Sequence, residues 1–256
     1  MIDKKKFVVI IPSRYGSTRF PGKPLAVISG KSMIQRVYEQ VSKVLDLVYV
    51  ATDDERIFNA VEAFGGKAVM TRNDHKSGTD RLAEAYEKIG EGREIVINVQ
   101  GDEPFIQPSQ LESLCECFND SKTDIATLVK PFTEKDGIEA LENPNSPKVV
   151  IGKNNEALYF SRSVIPYKRG KEKEEWLKSH QYYKHIGLYA YKAKVLKEVT
   201  QLPQSPLEIA ESLEQLRWLE NGYSIKVGIT TSETVGIDTP EDLERAEAFL
   251  KSQGMK

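Results

Sequence analysis

Apolar residues fall along this chain in short unbroken runs separated by stretches of helical spacing. Phe7 to Ile11 are all apolar, without alternation. That is the pattern of a strand covered on both faces, and such strands belong to parallel sheets. Met33, Ile34, Val37, Val41, Val44 and Leu45 then recur at helical spacing. Leu47–Thr52 reads as a second buried strand, and Ile57, Phe58, Val61 and Phe64 as a second helix stopped at Gly65-Gly66. Lys67–Met70 is a third strand. A polar loop from Thr71 to Thr79 leads into a helix through Leu82, Ala85, Tyr86 and Ile89, and Glu94–Val99 is a fourth strand. Alternation at this pitch predicts βαβ units and a mostly parallel, Rossmann-like α/β sheet flanked by helices.

After a helix over Phe105–Asn119 and a strand over Ile125–Val129, the rhythm changes. Lys148–Ile151 and Ala157–Phe160 flank the turn Gly152-Lys153-Asn154-Asn155 and predict a hairpin, followed by a charged run, Lys168–Glu175. Strand character returns at His185–Tyr191, with a short helix through Val199. Ser205 caps a helix expected to run unbroken from Pro206 to Asn221. Ile225–Ile229 is a further strand. Val235-Gly236 then joins a strand end to the last helix, capped by Thr239 with Pro240 at its first position. We expect one domain over residues 1–256, with 131–190 as a smaller antiparallel section that is a candidate extension, dimer arm or wall of the substrate site.

The stretch between the first strand and the first helix changes the picture most. From Pro12 it has no apolar periodicity but carries Arg14, Arg19 and Lys23 together with Gly16 and Gly22. A glycine-rich cationic loop at the carboxyl end of a first buried strand is where α/β proteins hold phosphates. Neither the Walker spacing nor G-x-G-x-x-G is present, and the remaining pattern R-x-x-x-x-R-x-x-x-K offers cations for a triphosphate. The plain alternative is a solvated basic loop. Asp102 follows the fourth strand through Gly101. A carboxylate beside a triphosphate requires a divalent cation between them, so Asp102 is a candidate magnesium ligand, against the reading of a turn or capping Asp. Asp238 stands at another strand-to-helix junction and joins Asp102 only if both strand ends share a rim; locally, Asp-Thr-Pro-Glu-Asp is an ordinary helix start.

Composition narrows the field. The net charge of −2, with both signs interspersed, argues against a general nucleic-acid or membrane-surface protein. The only cysteines are Cys115 and Cys117, two apart on a predicted helix, too few for a zinc site and expected to be reduced thiols. Met1–Lys6 leads into the first strand without a secretory core, and no run approaches a membrane span, so a cytoplasmic protein is expected.

Several segments carry a resemblance. I-I-P-S-R-Y-G-S-T-R-F-P-G-K-P-L at Ile10–Leu25 resembles the opening signature of sugar-activating nucleotidyltransferases. A-T-D-D at Ala51–Asp54, M-T-R-N-D-H-K-S-G-T-D-R-L at Met70–Leu82, N-V-Q-G-D-E-P at Asn98–Pro104 and A-L-Y-F-S-R-S-V-I-P at Ala157–Pro166 continue it. So do H-I-G-L-Y-A-Y at His185–Tyr191, the segments at Ser205–Arg217 and G-I-D-T-P-E-D-L at Gly236–Leu243. Together they are similar to the 3-deoxy-manno-octulosonate (Kdo) cytidylyltransferase family over nearly the whole chain, in order. Departures are mild: Ser13 where the family often has Ala, Asp80 where Glu is frequent, Ile237 where Val is frequent.

The resemblance implies CMP transfer from CTP to the anomeric hydroxyl of Kdo, with pyrophosphate released and magnesium required, in lipopolysaccharide biosynthesis. It implies that Arg14, Arg19 and Lys23 bind the triphosphate, with Arg14 and Lys23 acting in catalysis, and that Asp102 and Asp238 hold metal. Ser77 and Gly78 fall near the cytosine, and Gln100, Arg162, His185 and Glu214 line the sugar pocket. Left to themselves, Arg162 could pair with a hairpin acid, His185 could be structural and Glu214 solvated. The resemblance also implies a homodimer. Competing readings are a cytidylyltransferase for sialic acid or another acidic keto sugar, a sugar-1-phosphate nucleotidyltransferase, and a non-catalytic nucleotide-binding module.

Overall fold

The computed structural model describes residues 3–16, 19–233 and 236–252, the side chains of 249–252 excepted. Met1, Ile2, Ser17 and Thr18, and Val235 at the expected strand end, lie outside the described residues. In chain order the elements are β1 (Phe7–Ser13), β2 (Val27–Ile28), β3 (Lys31–Ser32), α1 (Met33–Ser42), β4 (Val48–Thr52), α2 (Glu55–Ala63), β5 (Ala68–Met70), α3 (Gly78–Ile89), β6 (Ile95–Asn98) and α4 (Pro108–Glu116). There follow β7 (Ile125–Pro131), α5 (Gly137–Glu142), β8 (Lys148–Ile151), β9 (Ala157–Ser161), α6 (Trp176–Ser179), β10 (Tyr183–Lys192) and α7 (Ala193–Val199). The chain closes with α8 (Pro206–Glu211), α9 (Gln215–Glu220), β11 (Ile225–Ile229) and α10 (Pro240–Ser252). The fold is α/β, with mostly parallel strands flanked by helices and an antiparallel extension. It divides into two compact units, 1–111 with 234–256, and 112–233.

In the first unit β1 pairs in parallel with β4 on one side and β6 on the other, and β4 pairs in parallel with β5. Val8, Val9, Ile10 and Ile11 are wholly buried, as the unbroken apolar run requires of a strand covered on both faces. The helices start where their caps dictate: the Ser32 hydroxyl accepts from Gln35 N–H, Asp54 from Arg56 N–H, and Ser77 and Asp80 form a reciprocal capping box. β2 and β3 make a small hairpin that sequence patterning missed, because each strand is too short to show alternation. Its turn, Ser29-Gly30, has positive φ at both residues, the primed geometry that a tight hairpin needs. The C-terminal helix belongs to this unit because Ala246 and Leu243 pack with Ile28, Met33 and Ile237.

In the second unit β7 pairs in parallel with β11 and antiparallel with β10, and β8 pairs antiparallel with β9 and β10. The predicted hairpin is β8–β9, and residues 131–190 lie wholly inside this unit. A local core of Phe132, Leu141, Trp176 and Tyr182 sits beneath the charged run, where the structure adds the short helices α5 and α6. The helix expected from Pro206 to Asn221 is instead two. Ser212 turns left-handed at φ 51°, which ends α8, and α9 begins three residues later at Gln215. Cys115 and Cys117 are both buried and unpaired with each other, and burial pushes their thiols up to about 12 and about 11.

Candidate active site

The carboxyl ends of β1 and β6 and the amino end of α3 border a cleft of about 300 Å³ in the first unit. Its walls bring together Arg14, Arg19, Lys23, Ser77, Gly78, Gln100, Asp102 and Asp238. Two glycines make this approach possible. Gly22 caps the short turn that carries Lys23, at φ 73°, with the Tyr15 ring 3.1 Å from where a Cβ would stand. A Cβ on Gly101 would lie 2.5 Å from Ser13 Oγ and 3.1 Å from the Pro12 carbonyl oxygen, so glycine eases the passage of the segment after β6 beside the end of β1, where it delivers Asp102.

Lys23 is the hub. Its ammonium donates to Asp102 Oδ2 at 2.6 Å and to Asp238 Oδ1 at 3.0 Å. Burial works against its charge, but the two carboxylates outweigh that penalty and hold its pKa above the ordinary lysine value. Arg19 adds a second cation, 3.1 Å from Asp238 Oδ2, with a largely exposed side chain. Arg14 is exposed along the same wall.

Asp238 reaches the cleft by a route other than the expected one. It does not end a neighbouring strand: β11 stops at Ile229, and residues 236–239 are not strand. The Ile237 N–H donates to the Asp102 carbonyl at 2.9 Å, a single backbone hydrogen bond that ties the two carboxylate-bearing segments together. Asp242 then caps the start of α10 by accepting from Asp238 N–H and Thr239 N–H, each at 3.0 Å.

Ser77 and Gly78 belong to the start of α3 rather than to a loop. The Ser77 hydroxyl is engaged in the capping box, so what this position turns towards the cleft is the positive end of a helix. The preceding turn is pinned from α3. Arg81 donates to Asp53 at 2.8 Å, to the Thr71 hydroxyl and to the Arg72 carbonyl, and Glu84 receives the His75 ring nitrogen, Lys88 and the Arg72 N–H. His75, Lys76 and Arg81 also line the cleft and were missed as site residues, although the motif containing them was noted. Ser13 was missed too. Its buried hydroxyl lines the cleft and has no hydrogen-bond partner among the described residues.

Arg162, His185 and Glu214 lie in the second unit. Arg162 brackets the end of α8, its guanidinium donating to the carbonyls of Glu211 at 2.6 Å, Pro144 at 2.9 Å and Ser212 at 3.3 Å. His185 packs edge-on to Phe160, and burial lowers its pKa to about 4, so the ring is neutral at neutral pH. Glu214 is not mid-helix. It precedes α9, and its carboxylate accepts from Arg217 at 2.6 Å.

Among the described residues no group of three or more His, Cys, Asp or Glu could hold a metal ion by itself. Asp102 and Asp238 nonetheless lie within 3.0 Å of one cationic nitrogen. Two such carboxylates fit magnesium, which is usually held by one or two carboxylates, with waters and substrate phosphates completing the shell.

Parallel strands, a cationic loop after β1, and two carboxylates, Asp102 after β6 and Asp238 ahead of α10, are the marks of a nucleotidyltransferase. At the level of fold alone, 4-diphosphocytidyl-2C-methyl-D-erythritol synthase from Anaerococcus prevotii is similar, with a TM-score of 0.61 at 15% identity, covering 98% of each chain. The cytidylyltransferase family matches residues 8–227. The 3-deoxy-manno-octulosonate cytidylyltransferase of Phocaeicola vulgatus is 72% identical over 97% of this chain and 98% of its own length. That of Escherichia coli is 47% identical, over 97% of each. A solved structure of CMP:2-keto-3-deoxy-manno-octonic acid synthetase complexed with CTP matches with a TM-score of 0.88 at 46% identity, covering 97% of this chain and 99% of that one. The chain belongs to the 3-deoxy-manno-octulosonate cytidylyltransferase family and is an enzyme, a cytidylyltransferase.

Proposed function

We propose that this enzyme transfers CMP from CTP to the anomeric hydroxyl of Kdo, releasing pyrophosphate, with magnesium as cofactor. The observation that carries the reading is the convergence of Asp102 and Asp238 on the Lys23 ammonium beside Arg14 and Arg19. Its relatives' names and the CTP complex of a 46% identical synthetase support the choice of nucleotide and sugar.

Arg14, Arg19 and Lys23 bind and neutralise the triphosphate, and their charge is most useful as negative charge builds on the departing pyrophosphate. The amino end of α3 at Gly78 offers its main-chain N–H to the base, while the Ser77 N–H is taken by Asp80. Arg162, His185 and Glu214, in the second unit, hold the sugar. Since His185 is neutral, it serves as a hydrogen-bonding group, and Arg162 is the one fixed positive charge among these sugar residues. Magnesium held by Asp102 and Asp238 would supply Lewis-acid polarisation of the phosphate oxygens. We also propose that the enzyme is a homodimer. We assign the enzyme to the cytoplasm, where CTP is made, and its product to lipopolysaccharide biosynthesis.

The test is pyrophosphate release from CTP with Kdo, with sialic acid and with no sugar, each with and without magnesium. Release confined to Kdo plus magnesium is expected. Release with sialic acid would overturn the sugar assignment, and no release from folded protein that still binds CTP would favour a nucleotide-binding module.

A further inference from the structure

The strand β10 is interrupted where it carries His185. His185 stands opposite Val129 and Ile186 opposite Leu128, and the register then skips so that Tyr189 faces Thr127. The bulge takes up Gly187 and Leu188 and disturbs the ladder hydrogen bonds there. The buried Thr127 hydroxyl fills that gap. Its oxygen lies 3.2 Å from the Ile186 carbonyl oxygen, 2.9 Å from that of Leu188 and 3.1 Å from His185 Nε2.

A hydroxyl has one proton to donate, and carbonyl oxygens can only accept. Were the Thr127 proton given to His185, both carbonyl oxygens would face hydroxyl lone pairs with no proton between them. The proton therefore belongs to a carbonyl, that of Leu188 being nearer, and the hydroxyl oxygen accepts from His185 Nε2–H. The imidazole is neutral at neutral pH because burial lowers its pKa to about 4. It thus has one donor and one acceptor nitrogen. With the proton on Nε2, the lone pair is on Nδ1. His185 as a residue is only half-buried, and no hydrogen bond among the described residues engages Nδ1. Phe160 and Tyr189 pack against the ring at centroid distances of 5.1 and 5.4 Å and hold its plane.

We infer that Thr127 is a positioning residue that holds His185 as the Nε2–H tautomer and leaves Nδ1 as an acceptor for a hydroxyl of the sugar substrate. An acceptor nitrogen repels a carboxylate, so His185 selects among the sugar's hydroxyls while the acid group goes elsewhere. The inference rests on His185 belonging to the sugar site.

The experiment uses protein labelled with 15N in its histidine rings. The chain has 3 histidines, and the His185 signals are assigned by their loss in His185→Gln. Wild-type enzyme without sugar should show a direct N–H correlation at Nε2 of His185 and an unprotonated Nδ1. Thr127→Val keeps the β-branched shape and removes the hydroxyl. It should weaken the protected Nε2–H signal, mix the tautomers and raise KM for Kdo by about tenfold, the scale of one hydrogen bond, with KM for CTP unchanged. Thr127→Ser should restore both signals and KM. A wild-type ring protonated at Nδ1, or an unchanged tautomer in Thr127→Val, would overturn the inference. If Thr127→Val fails to fold, the wild-type and Thr127→Ser spectra still decide the tautomer. An Nε2–H tautomer together with an unchanged KM for Kdo in His185→Gln would remove the sugar role and leave the tautomer assignment standing.

Discussion

Glu84→Gln is the perturbation whose size can be worked most directly from the structure. Glu84 projects from α3 and gathers the turn that walls the cleft. Oε1 accepts from Lys88 Nζ at 2.7 Å, Oε2 accepts from Arg72 N–H at 3.1 Å, and the His75 ring nitrogen abuts the same oxygen. Desolvation alone would raise the carboxyl pKa. The donors from Lys88, Arg72 and His75 outweigh it and lower the value from 4.5 to about 2. At 1.36 kcal/mol per unit, that difference corresponds to about 3 kcal/mol of stability from the ionised group. Because the folded pKa is depressed, the contribution is complete above pH 4.5 and fades as pH falls from 4.5 towards about 2. Glutamine keeps the shape and removes the charge. The variant should therefore be about 3 kcal/mol less stable at pH 7 and should converge on wild type near pH 2. Urea denaturation followed by far-UV circular dichroism at pH 7, 4 and 2.5 reads this directly. In activity assays KM for CTP should rise more than kcat falls, because His75, Lys76 and Ser77 lie on the turn that Glu84 pins. Equal stability of the two proteins at pH 7, or a gap that does not change with pH, would refute the reasoning.

Other expectations are simpler. Asp102→Asn and Asp238→Asn should each lower kcat by about 10²–10³-fold or more, the scale of losing a preorganised electrostatic group. Circular dichroism should be unchanged, since the Ile237–Asp102 bond and the Asp242 cap use main-chain atoms at these positions; near-normal turnover in either variant would remove it from the metal set. Native protein should resist a thiol reagent such as DTNB, because Cys115 and Cys117 are buried with thiols pushed up to about 12 and about 11, and should release two equivalents once denatured in urea. Rapid reaction of folded protein would contradict that burial. Ser212→Val should destabilise by about 1–2 kcal/mol, because a β-branched residue resists φ 51°, whereas Ser212→Gly should not destabilise. Equal urea midpoints for the two would show that the left-handed turn does not govern the break between α8 and α9.

The sequence by itself determined the parts of this protein that depend on near neighbours. The unbroken run Phe7–Ile11 announced a strand buried on both faces, because only such a position tolerates apolar residues without alternation. Ser205 and Thr239 announced helix starts, because a cap acts within three residues. The cationic loop and Gly101-Asp102 were legible for the same reason: each is a local pattern at a strand end. Tertiary structure alone decided what depends on distant segments meeting. Lys23 meets Asp102 and Asp238 across separations of 79 and 215 residues, and one main-chain hydrogen bond from Ile237, not a shared sheet rim, completes that meeting. The break at Ser212 escaped notice because helical spacing continues on both sides, while the left-handed turn itself has no periodic signature. Ser13 was noted only as a position where the family often has Ala, and its part in the cleft appears only where Gly101 passes within van der Waals reach of it. The tautomer of His185 depends on a hydroxyl 58 residues away in sequence, opposite a bulge, and no pattern of residues along the chain encodes the direction in which that hydroxyl points.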